Sequence, residues 1–245
     1  MLGSEPVGAG ARPGADANRV VQEFRERVLP CGVDAVNRLE TAVEAKLAEA
    51  RTLVEAPPER FAAGFRAVVD GVVSARPHRA EIVARSSPAA VREILEGARV
   101  ARLGPGDLVG VADRLAGAPR DVRVDVASEL LHAGAPDRLG LLARWVWNPE
   151  RRTGILAVFG GPPPETYPGV QARLGELRLG LGAAGFPSST FAAVDVLLAL
   201  SYSARMNEAV DRSFQGGGIE RLLPGSFPLA AMVLGVRRRM LHADR

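Results

Sequence analysis

Apolar positions recur every three or four residues along most of this chain, the spacing that gathers them on one face of an α-helix. The clearest case runs over 33–56. There Val36, Leu39, Val43, Leu47, Ala50 and Val54 follow at intervals of 3, 4, 4, 3 and 4, with Glu40, Glu44, Glu49 and Arg51 off the stripe. The stripe lasts only about three heptads, which predicts packing in a helical bundle and not a free-standing coiled coil. Before it, 18–29 carries Val20, Val21, Phe24 and Val28 on one side, stopped by Pro30-Cys31-Gly32. After it, Pro57-Pro58 opens a helix over 59–75 that Pro77 ends, and a short helix is predicted at 79–84.

Ser87-Pro88 reads as an N-cap followed by proline at the first helical position. The helix it opens uses Val91, Ile94, Leu95 and Val100. Gly104-Pro105-Gly106 is a turn, and Asp107 caps a helix with Leu108, Val111, Ala112 and Leu115 inward. Pro119 begins another, with Val122, Val126, Leu130 and Leu131, that ends at Gly134; Pro136-Asp137 starts a further short one.

The period then changes. Trp145-Val146-Trp147 and Ile155-Leu156-Ala157-Val158-Phe159 are runs that fit a pleated surface. Turn chemistry separates them, with Pro149 presetting its φ and Gly154 free to take a positive one. The pattern predicts a β-hairpin over about 145–159. Gly160-Gly161-Pro162-Pro163-Pro164 follows as a stiff loop, then a helix over 168–181 weakened by Gly175 and Gly180. The segment 188–210 is apolar nearly all round, so it belongs at the centre of its subdomain or in a subunit interface. Gly216-Gly217-Gly218 is a joint before helical pieces at 219–223 and 227–242.

The fold expected is therefore mainly α: a helical, bundle-like N-terminal part, and a C-terminal part of helices with one β-hairpin. Residues 1–17 read as a disordered tail, 18–134 as a helical domain, and 135–245 as hairpin plus helices, packed with the first part as one unit or standing apart. No fixed-period repeat and no βαβ alternation is present, which argues against a solenoid and a parallel sheet.

Composition narrows the partners. With 245 residues and 47% hydrophobic content, the chain can bury a core. Lys+Arg 31 against Asp+Glu 28 leaves +3, too balanced to argue for nucleic acid by bulk charge. Lys46 is the one lysine and the other thirty basic residues are arginine, a sign of high-GC coding of the bacterial kind. Arginine abundance thus says little about phosphate. Cys31 is the single cysteine, which excludes an internal disulfide and a thiolate zinc cluster and fits a cytoplasmic location. No signal peptide and no membrane span is expected; the nearest apolar run, 222–236, holds Pro224 and Pro228 and precedes Arg237-Arg238-Arg239. It reads as a buried helix with a basic last turn.

Catalytic signatures are missing. Lys46 sits mid-helix, outside any phosphate loop, and the glycines at 104, 106 and 110 are one residue too widely spaced for a dinucleotide fingerprint. No catalytic residue, metal site or cofactor is expected. Glu129-Leu-Leu-His132 has the spacing of di-metal carboxylate bundles, but the second copy such sites need is absent. Asp195 sits among Phe191, Val194, Val196, Leu198 and Tyr202, where a carboxylate must be paired or protonated. Its plain reading is a pair with Arg205 or Arg173; the sharper one is a pocket acid with a raised pKa.

Three function classes follow. The first is a non-enzymatic helical interaction protein, an adaptor, assembly partner or regulatory subunit that binds a protein or itself. The second is a DNA-binding regulator through a winged helix-turn-helix at 107–159, with Arg151 and Arg152 at the wing tip and Arg138 and Arg144 on the recognition helix. That helix, 137–144, is mostly apolar and offers few groups to read bases. The third is a small-molecule binder or enzyme with an interhelical pocket near Asp195, lined by Tyr202, Trp145 and Trp147.

Overall fold

Ten α-helices carry the fold in a computed structural model that describes residues 15–183, 185, 190–213 and 225–242. They are α1 (Ala15–Glu23), α2 (Val33–Arg51), α3 (Pro58–Gly71), α4 (Arg79–Arg85), α5 (Pro88–Arg99), α6 (Leu108–Ala112), α7 (Arg120–Gly134), α8 (Tyr167–Ala183), α9 (Ala192–Ser213) and α10 (Ser226–Val233). A π-helical stretch at Phe24–Val28 follows α1, and short 3₁₀ segments lie between helices, at Leu29–Cys31, Thr52–Val54 and Val73–His78 among others. The mainly α reading holds. The expected tail at 1–14, the joint at 216–218 and the piece at 219–223 lie outside the described residues; 15–17 open α1. Among the described residues no helix is long and apolar enough to cross a membrane.

The stripe of α2 is covered inside the chain. Leu39, Val43, Leu47 and Ala50 are buried, and α2 packs on α3, α7 and α9. α9 is buried from Val194 to Ser201, as its all-round hydrophobicity requires. The other central helix is α7, where every residue from Val122 to Gly134 except Arg123 is buried. It packs against α5, α6 and α2. One continuous apolar cluster runs from Val20 on α1 to Leu234 just past α10.

The β-hairpin at 145–159 does not form, and no strand is present among the described residues. What remains is one antiparallel bridge, Asn148 with Thr153, at the tip of a tight loop. Two further bonds run back, from the Ile155 N–H to the Trp145 carbonyl (3.0 Å) and from the Leu156 N–H to that of Val146 (3.2 Å). Pairing then stops, because Ile155–Phe159 winds into a 3₁₀ helix. Gly154 takes φ +146, and a Cβ there would sit 2.4 Å from the Val146 carbonyl oxygen. An isolated two-stranded ribbon is barely stable in water, and β propensity measures fit to a half-buried surface. Here Val146, Trp147, Ile155, Leu156 and Phe159 find their burial against helices instead.

The short helix expected after Pro136 is also absent. Residues 139–143 are a buried segment with neither helix nor ladder, running from the end of α7 toward Trp145. A buried backbone without a ladder must find other partners. Side chains supply them. Gly140 N–H donates to Gln171 Oε1 (3.0 Å), Leu141 N–H to Asp195 Oδ1 (3.3 Å), Leu142 N–H to Ser128 Oγ (2.7 Å) and Arg144 N–H to Asp125 Oδ1 (3.0 Å).

Candidate functional site

Asp125, Ser128, Glu129 and His132 follow one another on α7 at helical spacing, so they form a polar stripe on a helix whose other positions from Val124 onward are apolar. All four are buried. Ser128 and Asp125 serve the 139–144 segment as just described. Asp125 takes more: Ser74 Oγ donates to its Oδ2 at 2.6 Å, and Arg144 reaches the same oxygen through Nε at 3.0 Å and Nη2 at 2.9 Å. Arg144 also pairs with Asp121 one turn earlier. Glu129 meets Lys46 of α2, Nζ to Oε1 2.7 Å.

His132 and Asp195 face each other across the α7–α9 contact. His132 Nε2 lies 3.4 Å from Asp195 Oδ2, and neither atom has a hydrogen-bond partner. Burial pushes the Asp195 carboxyl up to about 8, against the Leu141 N–H and Lys46, which pull it down; Glu129 adds to the rise. Burial pushes His132 down to about 3, helped by the positive charges of Lys46 and Arg51. Desolvation favours the neutral form of each. Near neutral pH, burial thus favours a protonated acid facing a neutral imidazole over an ion pair. The arginines expected as partners of Asp195 are engaged elsewhere, Arg205 with Glu23 (2.9 Å) and Arg173 with Glu176.

Beside the stripe lies a cavity of about 280 Å³. Its wall joins residues 71–74, Asp125 and Glu129 of α7, Leu141 and residues 143–145, Tyr202 of α9 and Val233 of α10. Trp145 and Tyr202 stand in it as a tilted pair, ring centroids 5.7 Å apart. Of the four pocket candidates, the structure thus brings these two together. Asp195 is behind the wall, bonded to the backbone of Leu141, and Trp147 is core, 2% exposed, its Nε1–H donating to the Pro164 carbonyl at 2.8 Å. Among the described residues no group of three or more His, Cys, Asp or Glu is placed to hold a metal ion.

The nucleic-acid candidates are dispersed. Residues 137–144 form no helix, so the recognition element of a winged unit is absent. Arg144 is committed to Asp121 and Asp125 and lines the cavity. Arg138 donates to the Ala98 carbonyl at 2.5 Å. Arg151 and Arg152 are exposed at the loop tip, the latter 2.8 Å from Glu165.

Sequence reasoning missed Ser74, Asp125 and Lys46 as site residues. The signal lay in α7 itself, whose polar residues share one face while its remaining positions are nearly all apolar. Comparison with protein-family models, with curated proteins and with solved structures finds no significant match to this chain.

Proposed function

We propose that this chain binds a small amphipathic molecule in the cavity between α3, α7, α9 and residues 141–145. The observation that carries the reading is the convergence of Trp145, Tyr202 and Arg144 on that cavity, with Val72, Leu141, Ala143 and Val233 as apolar wall. A concave, mainly apolar space with a few placed polar groups is the usual form of a ligand site, and this one is at the small end of the range. The aromatic pair suits a flat apolar body. Two of the five Arg144 N–H donors are left after its bonds to Asp121 and Asp125, and Ser74 Oγ, whose proton goes to Asp125, can still accept, so these two side chains serve one polar end. The interaction-protein reading rested on the stripe of α2 and the hydrophobicity of α9, and both are covered by the chain's own core.

The test is a thermal-shift screen of small aromatic and aliphatic acids, amines and alcohols, followed by titration of each hit into wild type, Tyr202→Ala and Trp145→Ala. A hit raises the melting temperature by linkage, and both variants lose the shift while staying folded. Shifts that persist in both variants, or a wild type that no compound stabilises, would refute it.

A further inference from the structure

A second cavity, of about 270 Å³, lies on the other side of Glu129, bounded by α2, α3 and the segment after α10. Glu129 is common to both walls. The second one is lined by Lys46, Glu49, Thr52, Arg237 and Arg239, with Ala63, Gly64, Ala67 and Val68 as its apolar side, so it carries more charged groups than the first.

Lys46 is the one lysine in a chain that otherwise uses arginine. An ammonium is a compact charge with three donors, whereas a guanidinium is a broad planar fork. The Lys46 side chain is only 11% exposed. Nζ donates to Glu129 Oε1 at 2.7 Å and to the Leu234 carbonyl at 2.6 Å. The third donor has no partner among the described residues.

The opposite wall is set by backbone contact. Gly235 takes φ +68, and a Cβ on it would stand 1.9 Å from the Gly71 carbonyl oxygen, so the chain after α10 lies directly on the end of α3. This carries Arg237 and Arg239 over α2 instead of into a basic last turn of α10. Both reach one carboxylate, Glu49, at 3.8 Å and 2.7 Å. Three cationic side chains thus share two carboxylates in one cavity, leaving one positive charge in excess and more N–H donors than Glu49 can satisfy.

We propose that this second cavity binds a small oxyanion, a phosphate or carboxylate group, between Lys46 Nζ and the guanidinium groups of Arg237 and Arg239. Charge-assisted bonds to planar forks suit either group, and the ammonium supplies a point charge at the buried end. The proposal is independent of the ligand assigned to the first cavity.

The experiment is isothermal titration of the full chain with inorganic phosphate and, separately, acetate, at fixed pH and at ionic strength fixed with chloride. Wild type is compared with Arg237→Gln/Arg239→Gln, whose side chains are 33% and 64% exposed, so that folding survives; a urea midpoint checks this. We expect saturable binding of at least one anion, weakened about tenfold for each arginine removed. Which anion binds more tightly separates a phosphate from a carboxylate ligand. Binding of neither anion above the chloride background, or equal binding in the double variant, would overturn the assignment.

Discussion

Replacing Asp195 by Asn tests the protonation state of the α7–α9 contact directly. Asn is nearly isosteric with the protonated acid, and its Oδ1 can still accept the Leu141 N–H. The sign follows from the two pKa values. Asp195 is raised to about 8 in the fold, against an unfolded value near 3.8. Between those values the unfolded chain gives up this proton while the folded chain keeps it, so stability falls as pH rises. His132, lowered to about 3 from 6.5, acts the other way, but only below pH 6.5, where the unfolded chain binds a proton that the fold excludes. From about pH 6.5 to 8 the Asp195 effect stands alone, with a limiting slope of about 1.4 kcal/mol per pH unit. Urea unfolding followed by circular dichroism at pH 6, 7 and 8 should therefore show wild type losing about 2–3 kcal/mol relative to Asp195→Asn across that range. With Asn standing in for the protonated acid, the variant should be the more stable protein already at pH 6 and by a wider margin at pH 8. Parallel pH profiles, or a variant less stable than wild type at pH 8, would show that the contact is an ion pair and that the reasoning is wrong.

Trp147→Ala should destabilise by about 3–5 kcal/mol, because a 2% exposed ring and its bond to Pro164 are lost together; the urea midpoint reads this. Arg151→Glu with Arg152→Glu should leave stability within about 0.5 kcal/mol, since both side chains are exposed. Measured affinity of that double variant for random duplex DNA at low salt should equal that of wild type; a loss would restore the winged reading. Gly235→Ala should cost more than about 1 kcal/mol through its positive φ alone, with the Gly71 contact adding to that, and should abolish anion binding in the second cavity.

The helices were legible because their signal is local. The α2 stripe, the prolines at 58, 88 and 119 and the glycine-proline turns each act within a few residues, and the structure places α2, α3, α5 and α7 close to where they point. The hairpin was misread because Trp145–Trp147 and Ile155–Phe159 carry the composition of strands, while what decides between strand and core filler is a partner far along the chain. Residues 139–143 failed for the same reason. Their run of Leu, Gly, Leu, Leu and Ala suits a buried irregular segment as well as a helix, and the deciding partners, Ser128, Gln171 and Asp195, come from three different helices. The cavity pair was half legible: Trp145 and Tyr202 were candidates, but nothing local says that Trp147, two residues on, turns into the core.

Counting donors and acceptors separates the polar groups that build this fold from those left over. Ser128 and Asp125 are used up by the backbone of 139–144, and Asp125 by Arg144 and Ser74 as well, so their burial is explained by structure alone. Asp195 is half used, with Oδ1 on Leu141 and Oδ2 facing an imidazole that does not bond it. Lys46 keeps one donor in hand. An unsatisfied buried polar atom costs about 1–3 kcal/mol, so each such atom marks a place where packing did not reach its optimum. These leftovers lie on both sides of one stripe. Glu129 stands in the wall shared by the two cavities, Lys46 pairs with it from the second, and the charge of Lys46 also bears on His132 and Asp195. An anion taken by the spare Lys46 donor leaves the Lys46–Glu129 pair in place, so occupancy of the second cavity should not change the charge on the wall of the first.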